Sequence, residues 1–288
     1  MAARDLIATC WTTAGIAPMK VPEVSPYPVF ERLRAVAEAG YVGLGFSQGD
    51  LEVFRETIGF QAIRDEADRL GLDRIEVELV SDWWLDPAES SWKPTWDLLV
   101  EAGRALRSPS IKVGTAFGEP AEDLGIFVEP LRRLADEAAS IGACVGVEPL
   151  PFGRIATLPQ GADLMRLVDH EAAGLFVDYW HVFRAGTALA EFEAALTPSM
   201  IVGVELNDAD AEVVGTLFED TRDRRRFPGE GAFDVPGFID SLRRLGWAGP
   251  WGIEMLSTEF RALGLRDGLA RARDTTFACF DRADSLLE

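Results

Sequence analysis

The chain has 288 residues, 48% of them apolar, and 48 acidic against 28 basic side chains, for a formal net charge of −20. That charge speaks against nucleic-acid binding, which needs a field of Lys and Arg to neutralise phosphates, and serves solubility instead. The length suits one large core or two modest ones, and closed barrels of alternating strands and helices run to roughly 250 residues as a single domain. No run approaches the roughly 20 apolar residues of a membrane span. Cys10, Cys144 and Cys279 are the only cysteines. Two of them sit in strand-like runs, so they read as packed free thiols in a reducing compartment. Met1 to Asp5 shows no leader-like pattern. The expectation is a cytoplasmic protein with neither a membrane nor a nucleic-acid partner.

Strand-like and helical patterns alternate along the whole chain. Residues 6–10 form an apolar run followed by a Gly/Pro-containing stretch. Phe30, Leu33, Val36 and Ala37 then recur at three- and four-residue spacing, predicting an amphipathic helix closed by Gly40. Residues 42–46 predict a second strand, and Phe54, Ile58, Ile63, Ala67 and Leu70 one helical stretch ending at Gly71. A third strand over 75–80 leads through Trp83 and Trp84 to a helix at about 95–106. A fourth over 110–114 precedes a helix at 124–141. Strands at 144–148, 174–178, 201–206 and 251–255 follow, each with a helix after it, and an irregular excursion spans 208–232. This βα rhythm, eight units with no linker, predicts an α/β fold: a (β/α)8 TIM barrel, one domain over 1–288. The first βα turn lacks a GxGxxG fingerprint, which weighs against a dinucleotide-binding sheet.

Four strands end in a carboxylate: Glu148, Asp178, Glu205 and Glu254. An acid at the tip of an apolar strand is costly to desolvate without a partner. In a parallel barrel these tips converge where active-site groups stand. One shared divalent cation is the partner that serves all four, and oxygen-only ligands suit hard ions such as Mn²⁺ or Mg²⁺, with Co²⁺ or Zn²⁺ as further candidates. The bland alternative makes each acid a helix N-cap or an arginine partner. His181 lies three residues beyond Asp178, placed to ligate, to hydrogen-bond substrate or to move a proton. His170, at a helix end, reads as structural. Trp11 and Trp83–Trp84 are candidates to border a sugar, with core packing as the alternative.

The segments Val177-Asp178-Tyr179-Trp180-His181, Val204-Glu205-Leu206-Asn207-Asp208, Arg226-Phe227-Pro228-Gly229-Glu230-Gly231 and Gly249-Pro250-Trp251-Gly252-Ile253-Glu254 resemble the xylose isomerase-like TIM barrel superfamily, in particular its sugar phosphate isomerase/epimerase branch. The resemblance implies Glu148, Asp178, Glu205 and Glu254 as ligands of one metal ion. It implies Glu148 and Glu254 as the pair that moves the proton, and His181 with Arg226 or Arg224 at the substrate, a small carbohydrate. Isomerisation, epimerisation and dehydration of an inosose or dehydroshikimate share this constellation, and a non-catalytic binding subunit is the non-enzymatic alternative. A histidine-rich zinc hydrolase on the same barrel is disfavoured by a complement of two histidines. Such barrels commonly pair, so a homo-oligomer is admissible.

One position departs from the family pattern: Glu205 stands where the family carries His. Four carboxylates around one dication leave a negative surplus that calls for a nearby cation or a retained proton. Lys112 on the fourth strand, or an arginine from 222–226, could supply it. The commoner fate of a strand lysine is to snorkel to the rim. Loss of ligation by Glu205 is the other outcome left open.

Overall fold

The computed structural model describes residues 4–88 and 90–286. The opening residues Met1 to Ala3, where the leader reading starts, lie outside the described residues. Eight parallel strands close into a barrel in chain order: β1 (Leu6–Ala8), β2 (Gly43–Ser47), β3 (Arg74–Val80), β4 (Ser110–Val113), β5 (Cys144–Val147), β6 (Ala173–Asp178), β7 (Ile201–Leu206) and β8 (Trp251–Ile253). Closure is made by β8 against β1, with Leu6 opposite Trp251 and Ala8 opposite Ile253. All eight expected strands are present within a few residues of their expected limits.

Helices cover the outside, and the main core lies between them and the outward-facing strand residues, such as Leu44, Phe46, Val145, Leu175, Val177 and Trp251. Where a single helix is expected over 54–70, there are two, Gln48–Glu56 and Phe60–Arg69. The break falls at Gly59, whose φ of 77° suits glycine and interrupts the helical path. Two short helices have no counterpart in the sequence expectations: Cys10–Ala14 after β1 and Tyr179–Arg184 after β6. The excursion at 208–232 holds a helix, Leu217–Asp223, and a two-residue ribbon pairing Asp208 with Arg226 and Ala209 with Arg225.

The barrel interior is unusual in its glycines. A Cβ at Gly146 would stand 2.4 Å from the Phe176 ring, and one at Gly203 would stand 2.3 Å from it. Bare backbone on β5 and β7 therefore makes room for one phenyl ring from β6. That ring is a floor: the ammonium of Lys112 rests 4.9 Å from its centroid.

Candidate active site and metal centre

Strand alternation sends every second side chain of β3 to β8 inward. Glu78, Lys112, Glu148, Asp178, Glu205 and Glu254 are thus brought together at the C-terminal mouth, each at most 8% exposed. Oxygens of Glu148, Asp178, Glu205 and Glu254 all lie within 4.8 Å of one another. The four acids named from the sequence do meet.

Lys112 does not snorkel. It is 2% exposed, and its Nζ lies 2.5 Å from Glu205 Oε1, 3.3 Å from Glu78 Oε2 and 3.7 Å from both Glu148 Oε1 and Glu254 Oε1. A snorkelling lysine needs a path to water. Here four carboxylates surround the ammonium and supply the solvation that water would give. Burial works against the ammonium, but Glu148, Glu205, Glu78 and Glu254 outweigh it and hold its pKa well above the usual lysine value.

A second buried cation comes from the excursion after β7. Arg225 donates to Asp178 Oδ2 at 2.6 Å and pairs with Glu254 Oε2 at 2.9 Å, while its Nη2 also donates to Thr221 Oγ1 at 2.8 Å. The cation expected from within 222–226 is thus Arg225, whereas Arg226 and Arg224, which the resemblance implies at the substrate, do not line the cavity. Consecutive side chains of the ribbon face opposite ways. Arg226 points outward to Asp210 at 3.0 Å and Glu259 at 3.1 Å, and Arg224 reaches Asp210 at 3.5 Å. Glu78, Lys112 and Arg225 add one negative and two positive charges to the four acids, so a dication would leave the group at about −1 rather than −2.

Asp178 takes both forms of the bland alternative, helix N-cap and arginine partner. Its Oδ1 caps the helix Tyr179–Arg184 by accepting from the His181 backbone N–H at 3.2 Å, and its Oδ2 accepts from Arg225 and, at 2.9 Å, from Asn207 Nδ2. Burial opposes its charge, but Arg225, His181 and Asn207 hold its carboxyl well below the usual range. The other three acids move the opposite way. Burial pushes Glu148 up to about 8, with Glu254, Asp178 and Glu78 adding to the effect against Lys112. Burial likewise raises Glu205 and Glu254 well above the carboxylate range. His181 Nε2 is 3.8 Å from Glu148 Oε1, and burial lowers its pKa to about 3, so the imidazole is neutral.

The donor chemistry fits a divalent ion. Four carboxylates converge, and two of their buried oxygens, Glu148 Oε1 and Glu205 Oε2, accept no hydrogen bond. A buried carboxylate oxygen without a donor is an open acceptor for a cation. Glu205, the departure from the family pattern, stays in the ring, its orientation set by Lys112.

A cavity of about 390 Å³ opens over the ring. Glu148, Glu254, His181, Arg225 and Glu78 reach its wall, whereas Asp178, Glu205 and Lys112 lie behind it. Trp11 also lines it. Trp83 does not: it is 1% exposed, donates to the Gly114 carbonyl at 2.7 Å, and packs against Trp84 and Phe127. The alternative given for Trp83, core packing, is what the structure shows. His170, as expected, is structural: Ala172 N donates to its Nδ1, and its Nε2 faces Asp136. The loop Phe227 to Gly231 is anchored by Asp208, whose carboxylate accepts from the backbone N–H groups of Gly229, Gly231, Phe233 and Ala209. Asp208 is thus tied to the loop.

Residues 33–275 match the family described as xylose isomerase-like TIM barrel, and the chain belongs to that family. It is 31% identical over 264 residues to a 3-dehydroshikimate dehydratase of Pseudomonas aeruginosa, a match covering 83% of this chain and 38% of that protein. It is 25% identical over 151 residues to an inosose isomerase of Bacillus licheniformis, covering 52% of this chain and 53% of the relative. The chain thus spans well under two thirds of these relatives. Among solved structures, the IolI protein with a bound zinc atom superposes with a TM-score of 0.79 at 17% identity, over 97% of this chain and 99% of that one. The chain therefore has the fold of the xylose isomerase-like TIM barrel family, isomerase and dehydratase relatives, and a buried acidic cluster consistent with a divalent metal site. Among the described residues, no helix is long and apolar enough to cross a membrane.

Proposed function

We propose that the protein is a divalent-metal-dependent isomerase or epimerase of a small polyhydroxylated ketone, acting by proton abstraction from the carbon beside the carbonyl. The observation that carries this reading is the division of the acid ring: of the four metal-facing acids, Glu148 and Glu254 alone also face the cavity. Glu148, Asp178, Glu205 and Glu254 would hold the ion, with Mn²⁺ or Mg²⁺ favoured by an all-oxygen set. When bound, the ion supplies a Lewis acid that polarises the carbonyl and acidifies the neighbouring C–H.

The side chains do the rest. One of Glu148 and Glu254 takes the proton from carbon and the other returns one, across an enediolate. Burial raises Glu148 to about 8 and raises Glu254 well above the ordinary carboxylate value. His181, neutral, offers an N–H to a substrate oxygen. Arg225 holds Asp178 and Glu254 in place, and Lys112 does the same for Glu205. Return to the opposite face epimerises; return to the adjacent carbon isomerises. A dehydratase reading, in which the same carbanion expels a β-hydroxyl, is favoured by the 31% identity to a 3-dehydroshikimate dehydratase.

The test is solvent exchange. Protein loaded with Mn²⁺ is incubated in D2O with D-fructose, an inosose and 3-dehydroshikimate, and deuterium beside the carbonyl is read by mass spectrometry and NMR. The reading predicts incorporation with at least one ketone, lost in both Glu148→Gln and Glu254→Gln. A metal-loaded, folded protein that exchanges no α-proton in any of the three contradicts it. Loss of water instead of exchange or epimer formation would select the dehydratase branch.

A further inference from the structure

The walls above the acid ring are of two kinds, and neither is used by proton transfer. One is aromatic. Phe117 is 55% exposed at the mouth and stacks on Phe152 with centroids 5.2 Å apart and planes at 28°. Phe218 meets both edge-on, at 5.2 Å from Phe117 and 5.9 Å from Phe152. Phe152 in turn stands 5.9 Å from the His181 ring. A continuous aromatic surface therefore runs from solvent to His181. Trp11 and Trp92 also line the cavity. A mostly exposed phenylalanine, stacked at the lip of a cleft, is the exposed apolar patch that signals a ligand contact.

The other feature is charge. The ionisable groups lining the cavity are Glu23, Glu78, Asp82, Glu148 and Glu254, with His181 and Arg225. Arg225 is fully buried and already paired with Asp178 and Glu254. Lys112 lies behind the acids. Among the described residues, no other Lys or Arg lines the cavity. With five acids, one arginine and a bound dication, the lining still sums to about −2. A phosphate or carboxylate would enter an unpaired negative field, at a cost set by desolvation without a partner.

Together these features point to a substrate class narrower than the family's. We infer that the ligand is an uncharged polyhydroxy ketone carrying a planar apolar substituent, with its polar head over Glu148 and Glu254 and its substituent on the Phe117–Phe152–Phe218 wall. A cavity of about 390 Å³ accommodates both parts, since pockets from about 300 Å³ upward bury drug-sized ligands. The inference rests on the proposed reaction for the ketone but not for the recognition. It separates this chain from its dehydratase relative, which is named for a substrate that bears a carboxylate.

Calorimetry on the Mn²⁺-loaded and the metal-free protein tests it, with phenyl β-D-glucoside, methyl β-D-glucoside, glucose 6-phosphate and shikimate as probes. The expected order places the phenyl glucoside about tenfold tighter than the methyl glucoside, from buried ring area and stacking, with no measurable binding of the phosphate or the carboxylate. Phe117→Ala should remove most of the phenyl advantage while leaving the far-ultraviolet CD and melting temperature unchanged. Equal binding of the two glucosides, no binding of the phenyl glucoside, or a shikimate or glucose 6-phosphate affinity matching it overturns the inference. A phenyl preference retained in a protein that exchanges no α-proton would sink the reaction and leave the recognition standing.

Discussion

Lys112 Nζ and Glu205 Oε1 lie 2.5 Å apart inside the barrel, and both residues are almost wholly buried. The same ammonium touches Glu148 and Glu254, so it shares three of the four acids with any ion seated among them. Lys112 therefore both supports the ring and competes with the metal. Lys112→Met should weaken the metal-free protein by about 3–5 kcal/mol, because Glu205 loses its buried partner. The same change should tighten Mn²⁺ binding at least about tenfold, since a nearby unit charge no longer opposes the dication. Melting with and without Mn²⁺ checks both, and a variant that binds Mn²⁺ more weakly than the wild type would show that Lys112 serves to present Glu205 rather than to compete.

Arg225 and Arg226 are neighbours with opposite fates. Arg225→Met strands Asp178 and Glu254 and should cost about 3–5 kcal/mol. Arg226→Met removes ion pairs that are more than a third exposed and should cost under about 1 kcal/mol. Urea denaturation of the two variants measures the difference. Similar losses from both would contradict the placement of the ribbon.

The Phe176 floor depends on glycine at two facing strands. Gly203→Ala should cost about 1–3 kcal/mol by driving a Cβ into the ring. Phe176→Leu added to Gly203→Ala should recover part of that loss, giving a coupling energy of opposite sign to the single changes. Strict additivity of the two changes would show that the ring is not what Gly203 accommodates.

Stability should fall as pH rises across the neutral range in the metal-free protein. Burial lifts Glu76 to about 7 and Glu148 to about 8, both from an ordinary value of 4.5. For acids raised in this way the native state binds more protons than the unfolded state between the two values. Their stabilisation is complete below about pH 4.5 and is lost as pH climbs through 7 to 8, with a slope up to about 1.4 kcal/mol per pH unit for each group. Glu76→Gln should remove its share of the slope. Saturating Mn²⁺ should flatten the share of Glu148 and leave that of Glu76, which is not among the four acids of the ring. A melting temperature that rises from pH 5 to 8 without metal would contradict these assignments.

The eight strands were legible because parallel strands buried on their outer face leave short apolar runs, and the four terminal acids were legible because a carboxylate ends four such runs. Glu78 sits in the same kind of position but was hidden. The alternation Ile75-Glu76-Val77-Glu78 reads as a strand with one wet face, whereas here both acids are buried. Lys112 takes the first of its two readings, the counter-cation, although a lone strand lysine gives no sign that four acids surround it. Arg225 could not be separated from Arg224 and Arg226 because register in a two-residue ribbon is set by tertiary contacts, not by pattern. Trp83 and Trp84 carry identical local signals, and packing against Phe127 decides their place. The Phe117–Phe152–Phe218 wall joins two loops and the helix Leu217–Asp223, distant in sequence, and spacing along the chain holds no trace of it.

The central claim is that Glu148, Asp178, Glu205 and Glu254 together hold one hard ion at the barrel mouth. Calorimetric titration of the purified, chelator-treated protein with Mn²⁺ addresses it most directly. One equivalent bound with micromolar affinity, weakened about a hundredfold or more in a folded Glu254→Gln variant, is the expected result. A wild-type protein that takes up no Mn²⁺, Mg²⁺, Co²⁺ or Zn²⁺, or an affinity unchanged by Glu254→Gln, would contradict it.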